Sequence, residues 1–284
     1  VASALASARG TYLVRSYANV VYDPQAFDQL LQLAGEREGR TVVGEREPYD
    51  IAVFTDSAGM LGVRDLFDFY EPSTTEAIVP EGAHPASDFS SQLFSFSSIA
   101  SANKAFNREF LLQCAEEAKC STWLGLQCAA FSQATKIVVT KRPLATLRCL
   151  PFASTGLVGA RAMLDDVFSG FEEARANFTG DDEAACGLDA AAARHLILMV
   201  DLIRNPIARR YCFEDARERG GEAIAGALAG SQLTDAECVV CRALLGETYD
   251  AYTGYRDTLV LNGVIMKNEE NLLAVGGQAQ HINQ

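Results

Sequence analysis

AAAARHLILMVDLIRNP, residues 190–206, decides how the chain is read. From Leu196 to Ile203 it is apolar on every side except at Asp201. A helix that is apolar all round must be surrounded by protein. Arg204 closes the last turn, and Asn205-Pro206 ends the helix, because proline has no N–H to donate and pushes the residue before it out of the helical region. We therefore expect a mainly α fold: a helical bundle around a central apolar helix at about 190–204, with a small β element near 40–56 and an irregular C-terminal tail.

Composition bounds the function. The chain has 284 residues, 49% hydrophobic and 21% charged, enough for a substantial core and unlike a disordered sequence. Its net charge of −13 argues against nucleic acid as a partner, since coating a polynucleotide relies on Lys and Arg to neutralise phosphates. Lys136, Lys141, Arg142 and Arg148 are the local exception and read as a solvated face. No transmembrane segment is expected: charge-free runs such as Cys120 to Thr135 are too short and too rich in Ser and Gln to span about 30 Å of hydrocarbon. Eight cysteines are too dilute for a disulfide scaffold, and most lie in apolar helical patterns, which favours a reducing intracellular compartment.

Residues 1–22 contain no acid and carry Arg9 and Arg15 among Ser and Ala. That composition fits a mitochondrial targeting segment, with a processing-site pattern at Arg15-Ser16-Tyr17-Ala18, or a plain N-terminal arm of a cytoplasmic or virion protein. Asp23-Pro24 opens a helix carrying Phe27, Leu30, Leu31 and Ala34, closed by Gly35. Thr41-Val42-Val43 and residues 50–55 read as two strands, with a small hairpin as one arrangement. An amphipathic piece at 61–70 and a Pro-, Ser- and acid-rich loop at 71–90 suggest a division into 1–75 and a mainly helical 76–284, one continuous domain being the alternative.

Beyond Ser91 the spacing predicts helices. Phe106, Phe110, Leu111, Cys114, Ala115 and Ala118 form one stripe, and the pattern resumes from Trp123 to Val139 and from Gly156 to Phe178, with Gly180 as its stop. An acidic linker at 180–183 precedes the apolar helix. Pro206 starts the next helix, with Ile207, Tyr211 and Phe213 expected to face inward and Arg209, Arg210, Asp215 and Arg217 outward, and Gly220-Gly221 is expected to break it. Thr234-Asp235-Ala236-Glu237 is a capping box, opening a helix to Tyr249 or Tyr252. Residues 259–264 look strand-like, and 268–284 are polar.

Candidate chemistry is sparse. The three histidines, His84, His195 and His281, match neither a Glu-x-x-His pair nor a His-Glu-x-x-His zinc motif, and His195 reads as a buried, hydrogen-bonded core residue. Cys238 and Cys241 follow the capping box into an apolar run, so they read as core thiols one turn apart. Asp165-Asp166 and Glu172-Glu173 lie two turns apart on one helix face. Asp165, Asp166 and Glu173 could serve a magnesium- and diphosphate-dependent enzyme of terpenoid type, although Ser occupies position 169 where such a motif needs a third acid. Asp201 on a buried helix requires a cation, and Arg204 or Arg194 is in reach, giving a buried ion pair that fixes helix register. Phosphate-cradling glycine loops and a Gly-x-Ser-x-Gly elbow are absent from the sequence.

Ends such as VASALASARG and GGQAQHINQ fray unless something holds them. The expectation is a non-enzymatic structural or assembly subunit of a larger complex, an organelle accessory subunit or a coat protein. Its arms would be held by other protein subunits in a homo- or hetero-oligomer, with no cofactor. The alternatives are the terpenoid-type enzyme and, disfavoured by acidity, a nucleic-acid-coating protein.

Overall fold

A computed structural model describes residues 2–16, 20–33, 36–37, 40–41, 48–56, 82–89, 94, 103–147, 156–178, 182–203 and 205–261. Within them the chain is mostly helical, with a small mixed sheet. The N-terminal part carries α1 (Ala2–Ser7), β1 (Tyr12–Leu13), β2 (Val20–Tyr22), α2 (Ala26–Leu33), β3 (Glu36–Arg37), β4 (Arg40–Thr41) and β5 (Ile51–Asp56). Next come β6 (Gly82–Pro85), β7 (Lys104–Asn107), α3 (Arg108–Ala118), α4 (Trp123–Gln133) and β8 (Lys136–Leu147). Five helices follow: α5 (Leu157–Ala176), α6 (Asp182–Leu202), α7 (Pro206–Ala229), α8 (Asp235–Gly246) and α9 (Tyr249–Leu261).

The long strand β8 organises the sheet. It runs parallel to β5, with Ile51 opposite Ile137 and Val53 opposite Val139, and antiparallel to β2 and β6. β7 lies antiparallel to β5, and β1 to β7, so the order is β1-β7-β5-β8-β2 with β6 also on β8. Strand alternation sends Ile51, Val53, Phe106 and Ile137 into the large core under the helices. Ala52, Phe54, Ala105 and Val138 point the other way, into a smaller core covered by α2.

Several expectations need correction. Thr41 and residues 51–56 belong to different sheets: β4 pairs with β3, whereas β5 sits inside the larger sheet. Val42 and Val43 lie outside the described residues. The helix read through Val139 ends at Gln133, and Ile137-Val138-Val139-Thr140 enters β8; all four residues are branched at Cβ and fit a pleated surface better than a helix. Pro143 is tolerated in this strand because it pairs with Thr55 at a register shift, where the ladder is already irregular. Phe106 belongs to β7, and the helix begins at Arg108, capped by the Asn107 side chain. The helix after the capping box stops at Gly246, and a separate α9 takes in the strand-like residues 259–261.

Gly220-Gly221 does not break α7. Gly220 faces α6, where a Cβ would collide with Leu196 Cδ1, so the missing side chain brings the two helices together. α6 begins at Asp182, eight residues before the apolar stretch, and packs against α5, α7 and α8. Leu188, Ala190 to Ala193, Leu196, Ile197, Met199, Val200 and Asp201 are buried in it. Among the described residues no helix is long and apolar enough to cross a membrane. Gly35, Gly180, the segment 61–81 and the tail 262–284 lie outside the described residues.

Candidate interaction surfaces

The N-terminal arm is fastened to its own chain as far as residue 16. Leu5 of α1 is buried in the large core, the Arg108 Nε donates to the Ala8 carbonyl (2.9 Å), and the Arg108 main-chain N–H donates to the Thr11 carbonyl (2.8 Å). Arg15 places its guanidinium over the Trp123 ring, 5.3 Å from the centroid. Between this arm and α2 runs a groove of about 550 Å³, with Tyr12, Val14, Tyr22, Phe27, Leu31 and Ala105 among its lining. The apolar stripe of α2 is wider than the sheet that receives it. Leu30 is buried, but Phe27 and Leu31 remain 52% and 37% exposed. Tyr49 holds α2 in place by donating its hydroxyl to the Leu30 carbonyl (3.2 Å) while its ring stacks on Tyr12 (centroids 4.4 Å apart).

A second exposed apolar surface lies where α5 and α7 begin side by side. Arg161 of α5 sits over the Tyr211 ring of α7, 4.6 Å from its centroid. One turn before these residues, on the same helix faces, are Val158 and Ile207, the most exposed large apolar side chains described at 85% and 69%; Phe213 is buried as expected, but Ile207 does not face inward. Neither helix carries an acid in its first turn. Arg210 adjoins the surface from over the Tyr249 ring and forms an exposed pair with Glu214 (3.4 Å).

The acids singled out from the sequence are engaged in separate contacts. Asp165 accepts from Arg219 Nη1 (2.6 Å). Glu173 accepts four hydrogen bonds, from the N–H and hydroxyl of Ser121 (2.8 and 2.5 Å) and of Thr122 (3.1 and 2.6 Å). Burial pushes the Glu173 carboxyl up, but these four donors outweigh it and hold it below the usual carboxylate value. Asp166 is exposed. Among the described residues no three His, Cys, Asp or Glu side chains are grouped so as to hold a metal ion.

Asp201 is buried at the end of α6, where the Tyr252 hydroxyl donates to it (3.1 Å) and Arg209 Nη2 approaches at 3.5 Å. Arg204 lies outside the described residues. Arg194 turns instead to Glu237, donating from Nε and Nη2 at 2.6 and 3.0 Å, and to the Gln232 carbonyl at 2.7 Å. Glu237 also closes the capping box with Thr234, so one carboxylate caps α8 and ties it to α6. His195 lies edge-on to Phe171, and its Nδ1 is buried with no hydrogen-bond partner among the described residues, contrary to the satisfied histidine expected. Burial lowers its pKa to about 4.

Lys104 escaped notice in the sequence. It is fully buried in β7, where its Nζ donates to Asn103 Oδ1 (2.9 Å) and Asn103 in turn donates to the Phe54 carbonyl (2.9 Å). Burial lowers the Lys104 pKa and pushes the nearby Cys128 thiol up to about 12. The seven described cysteines are all free. Cys241 is buried and Cys238 half-buried.

Comparison with family models, curated proteins and solved structures finds no match to this chain.

Proposed function

We propose that the chain is a non-enzymatic structural or assembly subunit of a larger protein complex, built around α6 as its central apolar helix and acting through its surfaces. The observation that carries this reading is the contrast between its polar and apolar groups. Asp165, Glu173, Asp201 and Glu237 each accept hydrogen bonds that tie one part of the fold to another, whereas Val158, Ile207, Phe27 and Leu31 present large apolar side chains to solvent. Apolar side chains left at a surface in groups favour association with another protein. Residues 2–16 are already anchored on this chain, so a neighbour that grips the N-terminal arm would add to that anchoring. Free thiols at Cys114, Cys128, Cys212 and Cys241 fit a reducing compartment.

The test is to isolate the protein from its native source and measure the mass of the species that carries it. Co-migration with a defined set of other subunits, or a stable oligomer, supports the reading. A monomer at dilute native concentration with protease-resistant ends overturns it.

A further inference from the structure

The geometry points to the paired starts of α5 and α7 as the docking surface for a partner segment that combines apolar with acidic residues. This rests on the assembly reading and specifies its contact. Val158 and Ile207 stand on adjacent helices, each one turn before the contact of Arg161 with the Tyr211 ring, so helical spacing sets the two exposed apolar side chains on either side of that guanidinium. Tyrosine and arginine beside exposed aliphatic side chains are the residue types that carry binding energy at protein interfaces.

Charge selects the occupant. The chain as a whole carries −13, yet the first turns of both helices hold no acid, and Arg161 and Arg210 flank the apolar pair. Each of these guanidiniums lies over a tyrosine ring. Glu214 already offsets Arg210 at 3.4 Å, which makes Arg161 the principal cation of the patch. A carboxylate on the partner would meet Arg161 while neighbouring apolar side chains cover Val158 and Ile207. A second copy docked symmetrically would set this patch against itself and Arg161 against Arg161, so a different subunit is the favoured occupant.

The experiment places p-benzoylphenylalanine at Val158 or Ile207 in the full chain within its native complex, with Val239 of α8, 39% exposed, as the control position. Irradiation followed by mass spectrometry identifies the cross-linked peptide. The expected result is a peptide of another subunit with Asp or Glu among apolar residues, recovered from positions 158 and 207. Arg161→Glu should lower that recovery at least tenfold, and Arg161→Lys should restore part of it. Recovery that is equal at the control position or indifferent to Arg161→Glu overturns the proposal, as does cross-linking only to a second copy. If the chain travels with its complex but neither position cross-links, the surface is wrong and the assembly reading stands. If the chain is monomeric in native extracts, the assembly reading itself fails.

Discussion

Glu173 and Thr122 are joined twice through one carboxylate oxygen: the Thr122 N–H and hydroxyl both donate to Oε2, at 3.1 and 2.6 Å. The other oxygen takes the same pair of donors from Ser121. The start of α4 is thus capped by a side chain from α5. Thr122 also caps α4 locally, accepting from the Gly125 N–H at 3.0 Å.

Replacing Glu173 with Gln removes the charge that these donors favour, and should lower stability by about 1–2 kcal/mol in urea melts at neutral pH. The folded carboxyl titrates below its ordinary value. The unfolded state therefore takes up the proton first, so the stabilisation is complete above the ordinary carboxylate pKa and is lost as pH falls through the lower folded value. Melts below pH 5 should show this loss in the wild type and a shallower one in Glu173→Gln.

Arg194→Met leaves Glu237, 1% exposed, as a buried carboxylate without its cation. The expected loss is about 3–5 kcal/mol. Arg194→Met combined with Glu237→Gln should recover part of it, because the variant then buries no charge at this position. Equal stability of the single variant and the wild type in urea would remove the pair from any account of how α6 and α8 are held together.

Gly170 of α5 faces α4 so closely that a Cβ would stand 2.6 Å from the Leu124 Cβ. Gly170→Ala gains about 1 kcal/mol in helix propensity. Forcing the two helices apart costs about 1–3 kcal/mol. The net change should be destabilising, whereas Gly246→Ala, with nothing within 4 Å, should show no such overpacking loss. Thermal denaturation of the two variants compares them directly.

His195 titrates at about 4 in the fold, against an ordinary value of 6.5. The unfolded state is therefore protonated first as pH drops, and stability is full above about 6.5 and declines toward pH 4. The loss should be about 1–2 kcal/mol, less than the whole shift implies because the residue keeps partial contact with solvent. His195→Leu should flatten stability against pH in this interval, measured by urea midpoints at pH 7, 5.5 and 4.5.

The helices were legible where periodicity and capping coincided. Thr234 with Glu237, Asn205 with Pro206, and the spacing of Leu164, Val167 and Phe171 each specify local structure without tertiary help. The sheet was not legible, because its strands are short and their partners are remote. β1 and β2 have two and three residues, and the branched run at 137–140 follows a helix whose apolar spacing continues into it. Gly220 misled for a related reason: a glycine that breaks an isolated helix is the same glycine that lets two helices meet. At the surfaces, Ile207 is expected inward and is exposed, because periodicity reports that a stripe is apolar and leaves open how much of it the neighbouring layer covers. The patch at Val158 and Ile207 depends on two helices being adjacent, a relation carried by neither segment alone.

Parallel pairing of β5 with β8 also constrains how the polypeptide can be made. Residues 51–56 lie between β7 and β8, so the interior position in the sheet stays unfilled until residue 147 has been synthesised. Contacts between such distant segments form slowly, because a long loop must close before any of them is gained. A nascent chain therefore leaves the ribosome with Ile51, Val53 and Phe54 waiting for their neighbours, and chaperones should hold this protein longest during translation of its first half.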